Sequence, residues 1–350
     1  MSSSGSMAAL APAPQPLIEL FDTALVDLDG VVYRGSQLVA HAAESIAQAK
    51  QQGVRVCYVT NNAARSPKSV GEHLRKLGVP AADEEVVTSA QAAARLVADQ
   101  VPAGSSVLVV GGEGLVAALD EVGLEPVFRA SERPAAVVQG FHPDIGWRLL
   151  AEGAYAVATG IPWIASNVDP TLPTSSGLAP GNGALVETLR IATGRSPLVA
   201  GKPGPALFHE ARRRCGGERP LVIGDRLDTD IEGAHAAGYP SLLVLTGVTA
   251  LPDLVTAPPQ RRPTYLARTL EGLFVPHESP TMTPDGVQCG GWQVRLEPAG
   301  DGRTRPQVTG HGDPLDAARA LLLAAWSSRD GQADVTEALA RLAEHVTGIG

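Results

Sequence analysis

The 350-residue chain has no run of about 18 consecutive apolar residues, which is the length a helix needs to cross a bilayer. The sequence therefore predicts no membrane span. Positive charge is not in excess: 37 acidic against 28 basic residues give a net charge of −9. A general nucleic-acid binder is usually basic, so no nucleic-acid partner is expected. Aromatic residues make up only 4% of a chain that is 44% hydrophobic, which leaves a core of Ala, Val and Leu. Cysteine is scarce. Cys57, Cys215 and Cys289 are odd in number and lack zinc-ligand spacing, so reduced thiols in a cytoplasmic protein are expected. Residues 1–16 are rich in Ser, Ala and Pro with no basic stretch before a short apolar segment. They read as a disordered tail rather than a signal peptide. The length predicts two or three domains.

The most informative segment is Asp27-Leu28-Asp29-Gly30-Val31-Val32-Tyr33, at the end of the apolar run Ala24-Leu25-Val26. In an extended strand, residues i and i+2 point to one side, so Asp27 and Asp29 are expected to converge at the carboxyl end of a strand. Ligands bind at that edge in open α/β sheets. Carboxylates about 4 Å apart repel by roughly 1–4 kcal/mol. A divalent cation, or a proton held on one of them, relieves that repulsion. A solvated Asp-x-Asp-Gly turn is the plain alternative.

Three further segments complete a pattern. Arg55-Val56-Cys57-Tyr58-Val59-Thr60-Asn61-Asn62 reads as a strand ending in Thr60. Gly201-Lys202-Pro203 follows the apolar run 198–200, and Asp225-Arg226-Leu227-Asp228-Thr229-Asp230 follows Leu221-Val222-Ile223-Gly224. In order, then, four strand ends carry Asp/Asp, Thr, Lys and Asp/Asp. Order, spacing and flanking strands resemble the four motifs of the haloacid-dehalogenase (HAD) superfamily of aspartyl-phosphate enzymes.

That resemblance implies roles. Asp27 would be the nucleophile and Asp29 the general acid and base. Magnesium would be held by the Asp27 and Asp225 carboxylates and the Asp29 main-chain carbonyl. Thr60 and nearby amides at Asn61 and Asn62 would hold phosphoryl oxygens, and Lys202 would be a fixed positive charge. Asp230, in preference to Asp228, would support Lys202 or a metal-bound water. Arg226, immediately after Asp225, is a candidate to bind substrate, facing the cap or the phosphate. A dehalogenase of this superfamily lacks the second aspartate, and a P-type ATPase needs long apolar helices; neither fits. A phosphomutase or phosphotransferase uses the same pair, and a catalytically silent metabolite-binding regulator would be marked by loss of Asp27 or Asp29.

Between Thr60 and Lys202 lies a βα pattern too long for a loop. Strands are expected at 107–112, 136–140, 156–158 and 163–167, and helices at 113–122, 146–153 and 184–193. An α/β cap in this position resembles the NagD-like, p-nitrophenyl-phosphatase-like branch. Within that branch, Asn167-Val168-Asp169-Pro170-Thr171-Leu172-Pro173-Thr174 and a C-terminal extension resemble the actinobacterial glycerol-3-phosphate phosphatases. The implied fold is α/β, a Rossmann-like HAD core (parallel sheet with helices on both faces) with an inserted α/β cap and a small αβ C-terminal extension. The expected boundaries are 17–87 with 197–275 for the core, 88–196 for the cap and 276–350 for the extension. The implied activity is magnesium-dependent hydrolysis of a small phosphorylated metabolite, with glycerol 3-phosphate the candidate; phosphoglycolate, pyridoxal phosphate and nucleotides are alternatives. The resemblance also implies a homodimer formed through the cap. Asn167, Asp169 and Asn182 are candidates to contact substrate hydroxyls, although their segments are also good turn sequences.

In the extension, 281–290 reads as linker, Trp292–Leu296 as a half-buried strand, and 313–328 and 335–346 as helices. Gln307-Val308-Thr309-Gly310-His311-Gly312 formally fits an acetyltransferase phosphate loop, but the segment is too short for that fold.

Overall fold

The computed structural model describes residues 9–174, 176–298, 304–328 and 335–346. They form two compact units, Met1–Val56 with Gly217–Gly350, and Cys57–Gly216. None of the described helices is long and apolar enough to cross a membrane.

In the first unit, strand Thr23–Asp27 pairs in parallel with Pro220–Gly224, which pairs with Ser241–Val244, which pairs with Tyr265–Ala267. These strands are buried along nearly their whole length, as expected of parallel strands covered on both faces. Their shared direction brings the residues that follow each strand, among them Asp225, to one edge.

The extension belongs to this unit. Strands Thr281–Thr283, Gly286–Cys289, Trp292–Pro298 and Thr304–Gly310 form an antiparallel meander, and helix Pro314–Ser327 packs on it. The expected linker at 281–290 is therefore two strands. Its Pro284-Asp285-Gly286 and Gly290-Gly291 are hairpin turns, and Val287 and Cys289 alternate inward between them. Val287, Val294, Leu315, Leu321 and Leu322 share one apolar cluster with Leu243 and Leu266 of the parallel strands and with Leu245 and Leu254, which follow strand Ser241–Val244. A buried ion pair, Arg319 to Asp316 at 2.6 Å, lies in the same joint, and Arg319 also donates to the Leu266 carbonyl at 2.7 Å. The Trp326 indole donates to the Leu254 carbonyl at 2.9 Å, under the Arg262 guanidinium. Asp313 caps helix Pro314–Ser327 through the Leu315 N–H at 2.9 Å and pairs with Arg268. The helix end after Gln307–Gly312 thus already holds a carboxylate.

The second unit carries a five-stranded parallel sheet in the order Leu198–Val199, Trp163–Ala165, Ala136–Gln139, Ser106–Val110, Glu125–Val127. Strand Arg55–Thr60 runs into this unit and pairs with Val86–Thr88, Thr60 opposite Thr88. Thr88 then caps helix Ser89–Ala98 in a reciprocal box with Gln91. Residues 156–158, expected as a strand, are the last turn of helix Trp147–Ala158. Gly153, Ala156 and Val157 are its buried residues, a three-four spacing that belongs to a helix face.

Two of the expected reduced thiols are joined. Cys57 and Cys215 form a disulfide with Cα atoms 6.1 Å apart across 158 residues of sequence. It ties strand Arg55–Thr60 to helix Ala206–Cys215. Only the fold brings these residues into disulfide range. Cys289 is free and buried.

Candidate active site

Asp27 ends its strand half-buried. The backbone then turns. Gly30 takes φ +86°, the N–H groups of Val32 and Tyr33 both donate to the Leu28 carbonyl, and the Gly30 N–H donates to the Tyr33 carbonyl at 2.8 Å. Asp29 therefore stands exposed on a turn and does not continue the strand at i+2, as the sequence had suggested. The left-handed glycine is the reason, since few other residues adopt that φ. Leu28 is buried, as expected.

Asp225 and Asp230 are also buried. Asp225 follows strand Pro220–Gly224, and Asp230 lies in a single π-helical turn, Leu227–Ile231, a form often found at functional sites. Carboxylate oxygens of Asp27, Asp225 and Asp230 all lie within 4.8 Å of one another. Asp29 is not in this cluster.

The cluster is built by close backbone approach. A Cβ at Gly30 or at Gly247 would run into the Asp225 carboxylate, and one at Gly224 into Asp230. The Val248 N–H donates to Asp225 Oδ2 at 2.6 Å and the Thr249 N–H to its carbonyl at 3.2 Å. Thr246 Oγ1 donates to the Gly30 carbonyl at 2.7 Å, and the Arg34 guanidinium reaches the Thr246 carbonyl. Sequence reasoning missed this Thr246-Gly247-Val248 loop. The available signal was a glycine just beyond an apolar strand, where backbones approach ligands in α/β sheets.

Arg226 engages Asp228 through two hydrogen bonds, 3.1 and 2.9 Å, and these hold the Asp228 carboxyl below its usual range. Asp230 Oδ2 accepts the Arg226 N–H at 3.1 Å. The two aspartates thus differ: Asp230 faces the cluster and Asp228 the Arg226 side chain.

The second unit holds the remaining candidates. Thr60 is buried, and its hydroxyl oxygen accepts the Asn62 N–H at 3.1 Å. Asn62 is exposed, with its Oδ1 accepting the Ala64 N–H at 2.9 Å. Lys202 is only 4% exposed, unlike the usual solvated lysine. Asn61 clamps its main chain: Oδ1 accepts the Lys202 N–H at 2.8 Å, and Nδ2 donates to the Lys202 carbonyl at 3.1 Å and to Asp169 Oδ2 at 3.4 Å. Asn167 Nδ2 donates to the Asn61 carbonyl at 2.8 Å, while Oδ1 accepts the Asp169 N–H at 3.2 Å. The structure thus brings Thr60, Asn61, Asn167, Asp169 and Lys202 into one unit and Asp27, Asp29, Asp225, Arg226 and Asp230 into the other.

Three carboxylates this close repel strongly, and an all-oxygen donor set suits a hard divalent cation such as magnesium. The triad, with Asp225 and Asp230 buried and Asp27 half-buried, and its glycine cradle fit that ion. Carboxylate nucleophile, general acid, fixed lysine and hydroxyl are the parts that phosphoryl transfer uses.

The chain matches the family model described as haloacid dehalogenase-like hydrolase over residues 24–125 and a second HAD-hydrolase-like model over 199–273. It is 47% identical to D-glycerol 3-phosphate phosphatase of Mycobacterium tuberculosis, over 88% of this chain and 86% of that protein. It is 38% identical to 5'-nucleotidase YutF of Bacillus subtilis, over 64% of this chain and 87% of that protein. Among solved structures, the glycerol phosphate phosphatase of M. tuberculosis in complex with magnesium superimposes with a TM-score of 0.83 at 45% identity, covering 94% of this chain and 99% of that one. A thermostable NPPase from Geobacillus stearothermophilus gives 0.65 at 33% identity, over 72% of this chain and 97% of that one.

Proposed function

The chain belongs to the haloacid dehalogenase-like hydrolases and is a phosphomonoesterase, and from that premise we propose that it hydrolyses glycerol 3-phosphate with magnesium through an aspartyl-phosphate on Asp27. The observation that carries this reading is the convergence of Asp27, Asp225 and Asp230 at the motif positions.

The residue roles follow from the chemistry. The Asp27 carboxylate attacks phosphorus, the ester P–O bond breaks, and an acyl phosphate forms. Asp29, on its exposed turn, gives a proton to the departing alkoxide. It then takes a proton from water as that water attacks the acyl phosphate, which releases orthophosphate and restores Asp27. The Lys202 ammonium, the Thr60 hydroxyl and the neighbouring main-chain N–H groups hold phosphoryl oxygens. The Asp27 and Asp225 carboxylates and the Asp29 carbonyl would hold magnesium, with Asp230 in support. Magnesium, when bound, neutralises phosphoryl charge. Arg226 is read as a support for the Asp228–Asp230 turn in preference to a substrate contact, because Asp228 takes its guanidinium.

Residues 17–87 with 197–275 are read as the catalytic core, 88–196 as the inserted domain that sets specificity, and 276–350 as the extension. The M. tuberculosis relative supports glycerol 3-phosphate, and the B. subtilis relative keeps nucleotides in view. Exposed Trp147, Tyr155 and Ile191 on the inserted domain support a homodimer formed there. A cytoplasmic location accords with a small-metabolite substrate. The test is phosphate release from glycerol 3-phosphate, phosphoglycolate, pyridoxal phosphate, nucleoside monophosphates and p-nitrophenyl phosphate, with magnesium and with chelator. A kcat/KM maximum for glycerol 3-phosphate is expected; a maximum for another ester would reassign the substrate.

A further inference from the structure

Asn167 and Asn182 are candidates for substrate contact, yet the structure commits their amide nitrogens elsewhere. Asn182 is the first residue of helix Asn182–Thr193 and is 2% exposed. Its Nδ2 donates to the Asn167 carbonyl at 2.7 Å. Asn167 Nδ2 donates to the Asn61 carbonyl at 2.8 Å, which also accepts the buried Ser89 hydroxyl at 2.6 Å. Asn61 in turn grips both the N–H and the carbonyl of Lys202. The result is a relay of three side-chain amides, each holding the main chain of the next residue, that ends on the lysine.

The start of the relay is fixed. The Gly183 N–H donates to the Asp169 carbonyl at 2.8 Å and the Gly181 N–H to the Pro170 carbonyl at 2.9 Å. A Cβ at Gly181 or Gly183 would overlap the carbonyls of residues 168 and 169. The first turn of the helix is thereby seated on the 167–171 loop. Asn182 Oδ1 has no hydrogen-bond partner among the described residues. A buried amide oxygen left unsatisfied costs stability, so an apolar side chain of similar size would be the cheaper occupant for packing alone. What asparagine adds at this position is the Nδ2 donor.

We propose that Asn182 and Asn167 are positioning residues for Lys202, acting through Asn61; this rests on the reading that Lys202 stabilises phosphoryl charge. A charge acts on a transition state only from the right place, and a misplacement near 1 Å can cost roughly a hundredfold. The relay fixes the backbone from which the Lys202 side chain extends. It also gives Asn182 and Asn167 a bearing on catalysis that needs no substrate contact of their own.

The test compares Asn182→Leu and Asn182→Asp with wild type and with Lys202→Ala. Both Asn182 variants keep the number and branching of side-chain heavy atoms and remove the donor. The expected result is a fall in kcat of about tenfold in both, with KM and the magnesium requirement changed less than about twofold and Tm no lower in Asn182→Leu than in wild type. Hydrogen exchange supplies a second readout: the Lys202 amide is protected in wild type and exchanges faster in both variants. Wild-type kcat in Asn182→Leu, or unchanged Lys202 exchange, would overturn the relay. If the Asn182 variants fail to fold, a Lys202 amide that exchanges at an open-loop rate in the wild-type protein overturns it as well. If Lys202→Ala keeps full activity, the reading of Lys202 itself is what fails.

Discussion

Asp27 and Asp29 sit in different settings because the chain leaves the strand and turns at Gly30. Asp27 is held on the last residue of a buried strand beside Asp225 and Asp230, whereas Asp29 stands exposed on the turn. Replacing Asp27 by Asn removes the proposed nucleophile with little change in volume. Turnover is expected to fall by at least about a thousandfold while circular dichroism and Tm stay close to wild type; substantial residual turnover would exclude Asp27 as the nucleophile. Arg226→Ala should lower kcat/KM by less than about threefold, because Asp228 already engages the guanidinium; a loss near a hundredfold would return Arg226 to the substrate. Cys289 is a third case at this scale. Burial, with Asp316 nearby, pushes its thiol up to about 12, so thiol reagents at pH 8 should leave it unmodified until the protein is denatured. Reagent counts before and after reduction also report on the Cys57–Cys215 disulfide.

Among elements, strands and helices with a clear period were legible in the sequence. Strand Arg55–Thr60 and helix Asn182–Thr193 were visible from their apolar spacing and their bounding turn residues. Residues 156–158 were not, because a short apolar triplet reads alike in a strand and in the last turn of a helix. The strands at 281–290 were hidden by turn residues that serve as hairpin corners. The loop around Asp225 was invisible for another reason: its hold on the carboxylate is made by main-chain N–H groups, which carry no side-chain signature. Gly247→Ala tests that loop, since a Cβ there would overlap the Asp225 carboxylate. We expect a destabilisation of about 1–3 kcal/mol in chemical denaturation and a raised magnesium requirement. Normal stability and metal dependence would mean that the loop yields freely.

For the whole molecule, the extension forms one core with the parallel layer of its unit. The motifs pointed to the candidate site residues, but nothing in them told where the described strands and helices of the extension would pack. That joint contains the buried Arg319–Asp316 pair, and removing one partner strands the other charge. Arg319→Leu should cost about 3–5 kcal/mol in denaturant unfolding; an unchanged midpoint would show that the joint does not depend on the pair. Asp313 adds a pH-dependent link. Burial alone would raise its carboxyl pKa, but hydrogen bonds from Arg268 and the Leu315 N–H bring it below the ordinary value. A carboxyl depressed in the folded state contributes stability above its unfolded pKa, near 3.9, and loses it as pH falls through the folded value. Wild type should therefore exceed Asp313→Asn in stability at pH 7, and the gap should close as the pH falls below about 4. A gap that persists in acid would show that the contribution does not depend on the carboxylate charge.

The most direct measurement is acid-quenched mass spectrometry of the enzyme during turnover of glycerol 3-phosphate with magnesium. One phosphoryl group on the peptide that contains Asp27, absent with chelator and absent in Asp27→Asn, is the expected result. Phosphate released at full rate with no phosphoryl group ever found on Asp27, or with the group on another residue, would contradict the covalent mechanism.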